Sequence, residues 1–298
     1  MKQTPALSVV IPAHNEALNL PATLRALHVQ VECPDFEIIV VDNASSDATA
    51  SVARRLGAVV VQEKKLGVAN ARQAGFLAAR APIIATTDAD TIVPTHWLST
   101  IAKMFAQHPE AVGLAGPILY DFKDPIIQKV TSDIASLVFP MNQRLHRGNP
   151  YFFGANFAVR AEAFRAIRGF SPDLLVGEDT DLAHRLGKIG PILFVPTIHV
   201  LTSSRRLKKE GVQAVWRYIR TYLRITRPAE TISDRVRLHI ERYRQQFLAQ
   251  LNLSHSTTPR LTRFKATTSE EVSVHLGGGT EETHKSYTHQ TGTKIKND

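Results

Sequence analysis

The chain has 298 residues, of which 43% are hydrophobic, so it is long enough to bury the core of one large domain or two modest ones. A single cysteine, Cys33, excludes an internal disulfide framework and any Cys-x-x-Cys metal knuckle. No stretch reaches about 18 consecutive apolar residues, and the first apolar run is too short for a signal-peptide core. These features predict a cytoplasmic protein without a membrane span.

The formal net charge of +9 is concentrated in one segment. Residues 203–250 contain 12 basic and 4 acidic residues, which is +8 of the total. Such a segment could attract an anionic membrane surface, phosphorylated substrates or nucleic acid. We do not favour nucleic acid, because basic helices are usually solvated faces.

Strands and helices are predicted to alternate over the first 90 residues. The predicted strands are residues 7–12, 36–41, 58–61 and 82–87. Between them we predict a helix that starts at Asn19 and Pro21 with an apolar stripe reaching Val31, a helix capped by Ser45 or Ser46, and a helix over residues 68–80. This order predicts a parallel α/β sheet with right-handed crossovers.

Polar clusters follow three of these strands, and ligands of parallel sheets bind outside the carboxyl ends of strands. The clusters are His14-Asn15-Glu16, Asp42-Asn43 and Asp88-Ala89-Asp90. Alternation along an extended backbone points Asp88 and Asp90 the same way, so both could face one cation and its bound phosphates. An acidic turn that caps the next helix is the alternative. Neither a Gly-x-Gly-x-x-Gly nor a Gly-x-x-x-x-Gly-Lys-Ser/Thr motif is present where a nucleotide fold requires it.

The second half of the chain is predicted to contain more helix. After a helix from about residue 94 to 107 and a strand over 111–116, residues 125–147 have helical spacing, either as a packed surface helix or as a lipid- or acceptor-facing element. A strand over 151–160 precedes a helix that ends near Gly169. The helix after Gly177 has three acids in its first turn, which complement the helix dipole but exceed what capping requires.

The last hundred residues divide into two predicted parts. Residues 207–251 form a basic helical extension, either docked or lying on a membrane surface. Residues 252–298 are rich in Ser, Thr, Gly and His, which predicts a disordered tail.

Five motifs in order resemble the family 2 glycosyltransferases, and the resemblance covers about residues 7–206. They are Ser8-Val9-Val10-Ile11-Pro12-Ala13-His14-Asn15-Glu16, Val41-Asp42-Asn43-Ala44-Ser45-Ser46-Asp47, Gly67-Val68-Ala69-Asn70-Ala71-Arg72-Gln73-Ala74-Gly75, Asp88-Ala89-Asp90 and Gly177-Glu178-Asp179-Thr180-Asp181. The resemblance implies a GT-A fold over residues 1–206, with a Rossmann-like, mostly parallel sheet flanked by helices and C-terminal helices beyond it. A nucleotide-binding part would span about residues 1–116 and an acceptor part about 117–206.

The resemblance also implies roles on the donor side. Family members use nucleotide-sugar donors with a divalent cation, Mg²⁺ or Mn²⁺, and invert the anomeric centre. Asp42 resembles the acid that reads the nucleobase, and Arg72 lies where the family has an arginine near the nucleotide. Asp88 would face ribose and metal, and Asp90 would bind the metal directly. The loop that holds base and ribose would comprise Pro12, Ala13, Asn15 and Glu16.

Roles on the acceptor side follow in the same way. Asp179 resembles the catalytic base, with Glu178 beside it. Gly154, Ala155 and Asn156 match a sugar- or acceptor-side loop more loosely. His199 would be a further metal ligand, or else an ordinary core or surface residue. The acceptor itself could be a glycan, a lipid carrier or a small molecule.

Some departures from the family pattern are visible. Ala44 replaces a common glycine and Gln73 a common asparagine, which leaves the identity of the donor open. The Gln-x-x-Arg-Trp motif of processive members is absent, so we predict transfer of single sugars.

Two other functions compete with this one. A sugar-phosphate nucleotidyltransferase generally carries a Gly-rich basic loop after its first strand, whereas this chain has Pro12-Ala13-His14-Asn15-Glu16. A nucleic-acid- or membrane-binding module with an inert core would instead use the basic segment.

Overall fold

The computed structural model describes residues 4–122, 152, 154–171, 174 and 177–205. Ten strands lie in this part of the chain: β1 Leu7–Ala13, β2 Phe36–Asn43, β3 Val59–Glu63, β4 Ile83–Thr86, β5 Thr91–Ile92, β6 Gly113–Ala115, β7 Ile118–Tyr120, β8 Phe157–Arg160, β9 Ile192–Phe194 and β10 Val200–Thr202. The described α-helices are α1 Leu20–His28, α2 Thr49–Arg55, α3 Val68–Ala78, α4 Trp97–Gln107, α5 Ala161–Ala166 and α6 Glu178–Leu186, and a 3-10 turn covers Pro196–Ile198.

Seven strands form the main sheet in the order β3-β2-β1-β4-β8-β6-β9. All neighbours pair in parallel except β8, which is antiparallel to both β4 and β6. The predicted mostly parallel α/β class is therefore confirmed. The reversal of β8 has a consequence for the site. Because Phe157 pairs with Thr86, the residues that precede β8 lie at the same edge as the residues that follow β4.

A second, three-stranded sheet has the order β5-β10-β7 and was not predicted. Its strands have two or three residues, too few to show a periodicity in the sequence. Strand β10 is antiparallel to β5, and the hydroxyl of Thr91 donates a 2.7 Å hydrogen bond to that of Thr202. Because β10 pairs with β5 in this small sheet, the residue that follows β10, Ser203, lies beside Asp90.

Helices cover both faces of the main sheet. On one face α1, α2 and α4 pack Leu24, Val52 and Trp97 against alternate strand residues such as Val9. On the other face the side chain of Phe76 in α3 packs against a group of aromatic rings. Its ring centroid lies 4.9 Å from Phe164, 5.2 Å from Phe170 and 6.0 Å from Phe157. Burial on both faces explains why the central strands have continuous apolar sequences.

One glycine sets how closely α3 approaches the sheet. A Cβ at Gly75 would run into the side chains of Val10 and Val41. Only glycine therefore allows α3 to lie this close to β1 and β2, and this spacing determines how far the side chain of Arg72, one turn earlier, reaches.

Several local predictions need correction. Helix α1 ends at His28, so Val31 lies beyond it and is 40% exposed instead of extending the buried stripe. Neither Ser45 nor Ser46 caps α2, which begins at Thr49. Their hydroxyl groups bind Asn15 instead, and the carboxylate of Asp47 accepts the Thr49 amide hydrogen at 2.9 Å.

The predicted helix over residues 125–147, the basic extension over 207–251 and the tail over 252–298 lie outside the described residues. Within the described ranges, the helices are all too short or too polar to cross a bilayer.

Candidate active site

The loops after β1 and β2 are joined by side chains at the carboxyl edge of the sheet. Asn15 adopts a left-handed conformation with φ of 55°. Its Oδ1 accepts the Ser46 amide hydrogen at 2.8 Å, and its own amide donates to Ser45 Oγ at 3.0 Å. Nδ1 of His14 lies 2.7 Å from the carbonyl oxygen of Asn43. The predicted base-and-ribose loop is thus held as one unit with the end of β2.

The carboxylate of Asp42 is buried and held from two sides. Oδ1 accepts the Ser45 amide hydrogen at 3.2 Å, and Oδ2 accepts a hydrogen bond from Gln62 Nε2 at 2.9 Å. In the register of the sheet Asp42 lies beside Ala13, one of the predicted donor-loop residues. The carboxylate of Asp42 is therefore held at the edge of the sheet where the β1 loop begins.

Asn43 is a residue whose role the sequence did not indicate. Its Nδ2 donates to the carbonyl oxygens of Glu63 at 3.1 Å and Lys65 at 2.8 Å, and its Oδ1 accepts the Gly67 amide hydrogen at 2.8 Å. These bonds fix the turn that leads into α3. They consequently set the start of the helix that carries Arg72.

Arg72 is the central charged residue of the site and is only 3% exposed. Its Nη2 lies 2.8 Å from Asp88 Oδ1, and its Nη1 forms an ion pair with Glu178 Oε1. Burial opposes its charge, but the charges of Asp88, Glu178 and Asp179 outweigh it and raise the pKa of Arg72 above its usual value. Arg72 thereby joins the end of β4 to the beginning of α6.

Gly154 leaves room for this arginine. A Cβ at Gly154 would meet all three terminal atoms of the Arg72 guanidinium. The predicted sugar- or acceptor-side loop therefore packs directly on the residue that bridges Asp88 and Glu178.

Asp179 lies in the first turn of α6 and is 7% exposed. Gly177 has φ of 83°, which glycine adopts without steric cost, and turns the chain into this helix. Oδ2 of Asp179 accepts the Gly154 amide hydrogen at 2.8 Å, and Oδ1 accepts that of Thr180 at 2.7 Å. Burial, together with the charge of Glu178, raises the pKa of Asp179 to about 7. A carboxylate with this pKa can take up a proton near neutral pH.

Asp90 and Glu16 share one cation, the guanidinium of Arg205. Its Nη2 lies 2.5 Å from Glu16 Oε1 and 3.2 Å from Asp90 Oδ2. Burial, then the charges of Asp88 and Glu16, raise the pKa of Asp90 to about 6, although Arg205 opposes this rise. Three carboxylates therefore crowd around the end of β4. Nothing in the sequence distinguishes Arg205 from its neighbour Arg206.

The carboxylates at the end of β4 fit a hard divalent cation. Asp88 and Asp90 offer the oxygen ligands that Mg²⁺ and Mn²⁺ prefer, and burial together with the charges of Asp88 and Glu16 raises the pKa of Asp90. The described part of the chain has no group of three or more His, Cys, Asp or Glu side chains arranged to hold a metal alone. A cation here would need further oxygen ligands, such as the phosphates of a donor.

His199 lies apart from Asp90 along the chain, and its role as a metal ligand stays a prediction. Strand β10 pairs Leu201 with Ile92 and Thr202 with Thr91, so it reaches Asp90 only at Ser203. His199 lies four residues earlier, about 13 Å away along an extended chain, and its side chain is exposed. The residue next to Asp90 is Arg205 instead.

Asn156 also has a role different from the predicted one. Its side chain is completely buried. Its Nδ2 donates to the carbonyl oxygens of Pro117 at 2.9 Å and Ile198 at 2.7 Å, and its Oδ1 accepts from Trp97 Nε1 at 3.0 Å. These bonds use the amide to join parts of the fold, so it is not available to an acceptor.

The remaining predicted site residues lie close to the groups described above. Pro12 is half-buried and Ala13 is buried at the end of β1, directly before the loop predicted to hold base and ribose. Ala155 is buried between Gly154 and Asn156. Glu178 is buried and paired with Arg72. The predicted donor-binding residues and the predicted catalytic base therefore lie at one edge of the sheet. His199 does not lie at this edge.

Relatives of the chain were found by sequence. An uncharacterized glycosyltransferase of Mycobacterium tuberculosis is 47% identical over 85 residues, which cover 28% of this chain and 37% of that relative. Validoxylamine A glucosyltransferase of Streptomyces hygroscopicus subsp. limoneus is 30% identical over 217 residues, which cover 61% of this chain and 48% of the relative. The chain thus spans less than half the length of these curated relatives.

A solved structure has the same fold. The mannosyltransferase of Pyrobaculum calidifontis in complex with GDP-Man and Mn²⁺ aligns with a TM-score of 0.51 and 23% identity, over 67% of this chain and 57% of that one. This likeness confirms the predicted GT-A fold. The model of the glycosyl transferase family 2 matches residues 8–168, more than half of the chain. The chain therefore belongs to glycosyltransferase family 2.

Proposed function

We propose that the protein transfers a single sugar from a nucleoside diphosphate sugar to an acceptor hydroxyl, with inversion at the anomeric carbon and a divalent cation at the diphosphate. The observation that carries this proposal is the bridge made by Arg72 between Asp88 and Glu178. It brings the acids suited to hold the leaving group within reach of Asp179, the acid suited to accept a proton. A transfer reaction needs the groups that hold the leaving group and the base that accepts the proton to lie on opposite sides of the same sugar.

The donor nucleoside would lie against the loops after β1 and β2. Asp42 is paired with Ala13 in the sheet and its carboxylate is held by the Ser45 amide, while Asn15 is fixed by bonds to Ser45 and Ser46. A preformed surface of this kind binds a rigid base with little loss of conformational entropy.

Asp88 and Asp90 would hold Mg²⁺ or Mn²⁺ together with the donor diphosphate. The cation, when bound, neutralises charge that develops on the diphosphate as it leaves. The Pyrobaculum mannosyltransferase was solved in complex with both GDP-Man and Mn²⁺, which supports this assignment by analogy. Arg72 pairs with the carboxylate of Asp88 and so positions one of the two proposed metal ligands.

Asp179 would be the base. The acceptor hydroxyl attacks the anomeric carbon from the face opposite the diphosphate, and its proton passes to an oxygen of Asp179. A single displacement of this kind inverts the configuration. The pKa of about 7 for this carboxyl leaves much of it ionised at neutral pH while keeping it basic enough to accept the proton.

The acceptor would enter beside Gly154 and Ala155, next to the Asp179 carboxylate. A glycan, a lipid-linked or a small-molecule acceptor fits the proposal equally, because the proposal assigns a role only toward the acceptor hydroxyl. Attachment to the cytoplasmic face of an anionic membrane through the basic extension remains a separate proposal, since residues 207–251 lie outside the described part of the chain.

Isothermal titration calorimetry with UDP, GDP and TDP, each with and without Mn²⁺, tests the donor site directly. We expect one base to bind and its affinity to rise at least about tenfold with Mn²⁺, since metal and phosphates complete each other's ligand shells. The matching nucleotide sugars would then be tested as donors, and the anomeric configuration of any product read by NMR. Absence of metal-dependent binding for every base would contradict the proposal, and a retained configuration would contradict inversion.

A further inference from the structure

Arg205 bridges Glu16 in the β1 loop and Asp90, the proposed metal ligand after β4, although none of the five sequence motifs includes it. One guanidinium nitrogen contacts both Glu16 of the β1 loop, at 2.5 Å, and Asp90 after β4, at 3.2 Å. The arginine side chain remains 52% exposed, whereas the side chains of Glu16 and Asp90 are 17% and 21% exposed. The cation is thus at the surface and its two anions lie beneath it.

The backbone before Arg205 is anchored. The Ser203 amide donates to the carbonyl oxygen of Asp90 at 3.2 Å. The Ser204 amide donates to Asp121 Oδ1 at 2.5 Å, and Ser204 itself is fully buried. The backbone at Arg205 is therefore fixed beside Asp90. Only the guanidinium group, at the end of a long and half-exposed side chain, is free to change partner.

The position of the guanidinium conflicts with that of a cation. Oδ2 of Asp90, the oxygen that Arg205 contacts, belongs to the carboxylate proposed as the direct metal ligand. Two positive charges cannot share that oxygen without strong repulsion, because like charges a few ångströms apart near a protein surface are only partly screened by water. A metal bound to this oxygen would displace the guanidinium from Asp90 and leave it with Glu16 alone. The donor diphosphate at the metal would then be a second anion that the guanidinium could bind.

We propose that Arg205 is the counter-ion of Glu16 and Asp90 while the metal is absent, and that it moves onto the donor diphosphate when metal and donor bind. This inference rests on the proposed function, because it uses the metal and diphosphate positions. It assigns Arg205 two opposite effects. The residue weakens binding of the cation alone and strengthens binding of the nucleoside diphosphate in the presence of the cation.

Calorimetric titrations of the full chain test both effects, first with MnCl₂ alone and then with UDP and GDP at saturating Mn²⁺. In Arg205→Gln we expect about fivefold tighter binding of Mn²⁺ alone, from loss of a half-exposed ion pair. We expect about tenfold weaker binding of the nucleoside diphosphate, from loss of a charge-assisted hydrogen bond. Arg205→Lys, which keeps the charge but not the planar donors, should fall between wild type and Arg205→Gln in both titrations.

Arg80→Gln is the matched control. Arg80 is 53% exposed and pairs with Glu37 at 2.8 Å, but it lies where the strands begin, at the other edge of the sheet. This variant should bind Mn²⁺ and nucleotide as the wild type does. Thermal unfolding of each variant establishes that the folded protein is being titrated.

The outcomes separate this inference from the proposed function. If Arg205→Gln binds Mn²⁺ no more tightly than Arg80→Gln does, or if neither variant binds Mn²⁺, the counter-ion role is overturned. If Mn²⁺ binding tightens but nucleotide binding is unchanged, the transfer to the diphosphate is overturned. If the wild type binds no nucleoside diphosphate while Arg205→Gln still gains Mn²⁺ affinity, the proposed function fails and the counter-ion role stands.

Discussion

The backbone amide of Gly154 donates a 2.8 Å hydrogen bond to Oδ2 of Asp179. The two residues belong to different elements, the segment before β8 and the first turn of α6. They meet because β8 runs antiparallel to β4 and brings its amino end to the carboxyl edge of the sheet. Together with the bond from the Thr180 amide to Oδ1, this bond fixes the orientation of the carboxylate.

Replacement of Asp179 by asparagine should remove transfer and spare donor binding. We expect the turnover number to fall by roughly 10²- to 10⁴-fold, the usual contribution of a general base, with nucleotide affinity changed by less than about threefold. Nucleotide release in the transfer assay and calorimetry with nucleoside diphosphate measure the two quantities.

Asp181→Asn is the matched control for this variant, because Asp181 lies in the same helical turn but pairs with Arg185 at 2.7 Å. It should retain most of the turnover. Near-normal turnover in Asp179→Asn would remove the residue from the mechanism.

The rate should depend on the ionisation of Asp179. Its pKa is raised to about 7, and only the deprotonated form accepts a proton, so kcat/KM should rise with pH and level off above about pH 7. Saturating Mn²⁺ keeps the ionisation of Asp90 from contributing. A profile that stays flat between about pH 5.5 and about pH 8.5 would show that another group limits the reaction.

The free energy of unfolding should also depend on the ionisation of the Asp179 carboxyl, but it should fall as the pH rises, whereas the rate should increase. Its folded-state pKa of about 7 lies above the ordinary value of 3.8, so the stability it contributes is complete below the unfolded pKa and is lost as pH rises through the folded pKa. Asp179→Asn should therefore become more stable relative to the wild type by roughly 2–3 kcal/mol between about pH 5 and about pH 8. Urea unfolding at both pH values measures the difference, and a constant difference would contradict the raised pKa.

Removal of Arg72 should destabilise the whole fold. Arg72→Ala leaves the buried carboxylate of Glu178 and the half-buried one of Asp88 without their cation, which typically costs about 3–5 kcal/mol. Urea unfolding measures this loss. Arg80→Ala removes a guanidinium that is 53% exposed, and Glu37 keeps its bonds from the Ser8 hydroxyl and from the backbone amide of residue 80. This change should therefore cost less than about 1 kcal/mol. Equal effects of the two substitutions would show that the bridge is no stronger than a surface pair.

Replacement of Asn156 should reduce stability and leave acceptor recognition unchanged. Asn156→Ala leaves two carbonyl groups and the indole of Trp97 without their partner, so we expect a loss of about 2–4 kcal/mol in the free energy of unfolding. Asn70→Ala removes one exposed bond to Leu66 and should cost under about 1 kcal/mol. A raised KM for the acceptor with normal stability would restore Asn156 to the acceptor side.

Local patterns were sufficient for much of the fold. Apolar runs that end in polar clusters located β1, β2 and β4, and the Asn19 and Pro21 signal placed the start of α1 correctly. These features depend only on residues that are neighbours in the chain, so they can be predicted from the sequence alone. The short strands β5, β7 and β10 were missed because two or three residues carry no periodicity.

The sequence by itself determined which acids follow the strands, because a polar residue at the end of a buried run has to meet solvent or a ligand. Only the tertiary structure decided which charges pair. Arg72 meets Glu178 across 106 positions, and Arg205 meets Glu16 across 189. The direction of β10, and not its sequence, likewise decides that Ser203 and not His199 is bonded to the backbone of Asp90. Charge pairing depends on distances in space, which strand order and direction set and which local sequence does not encode.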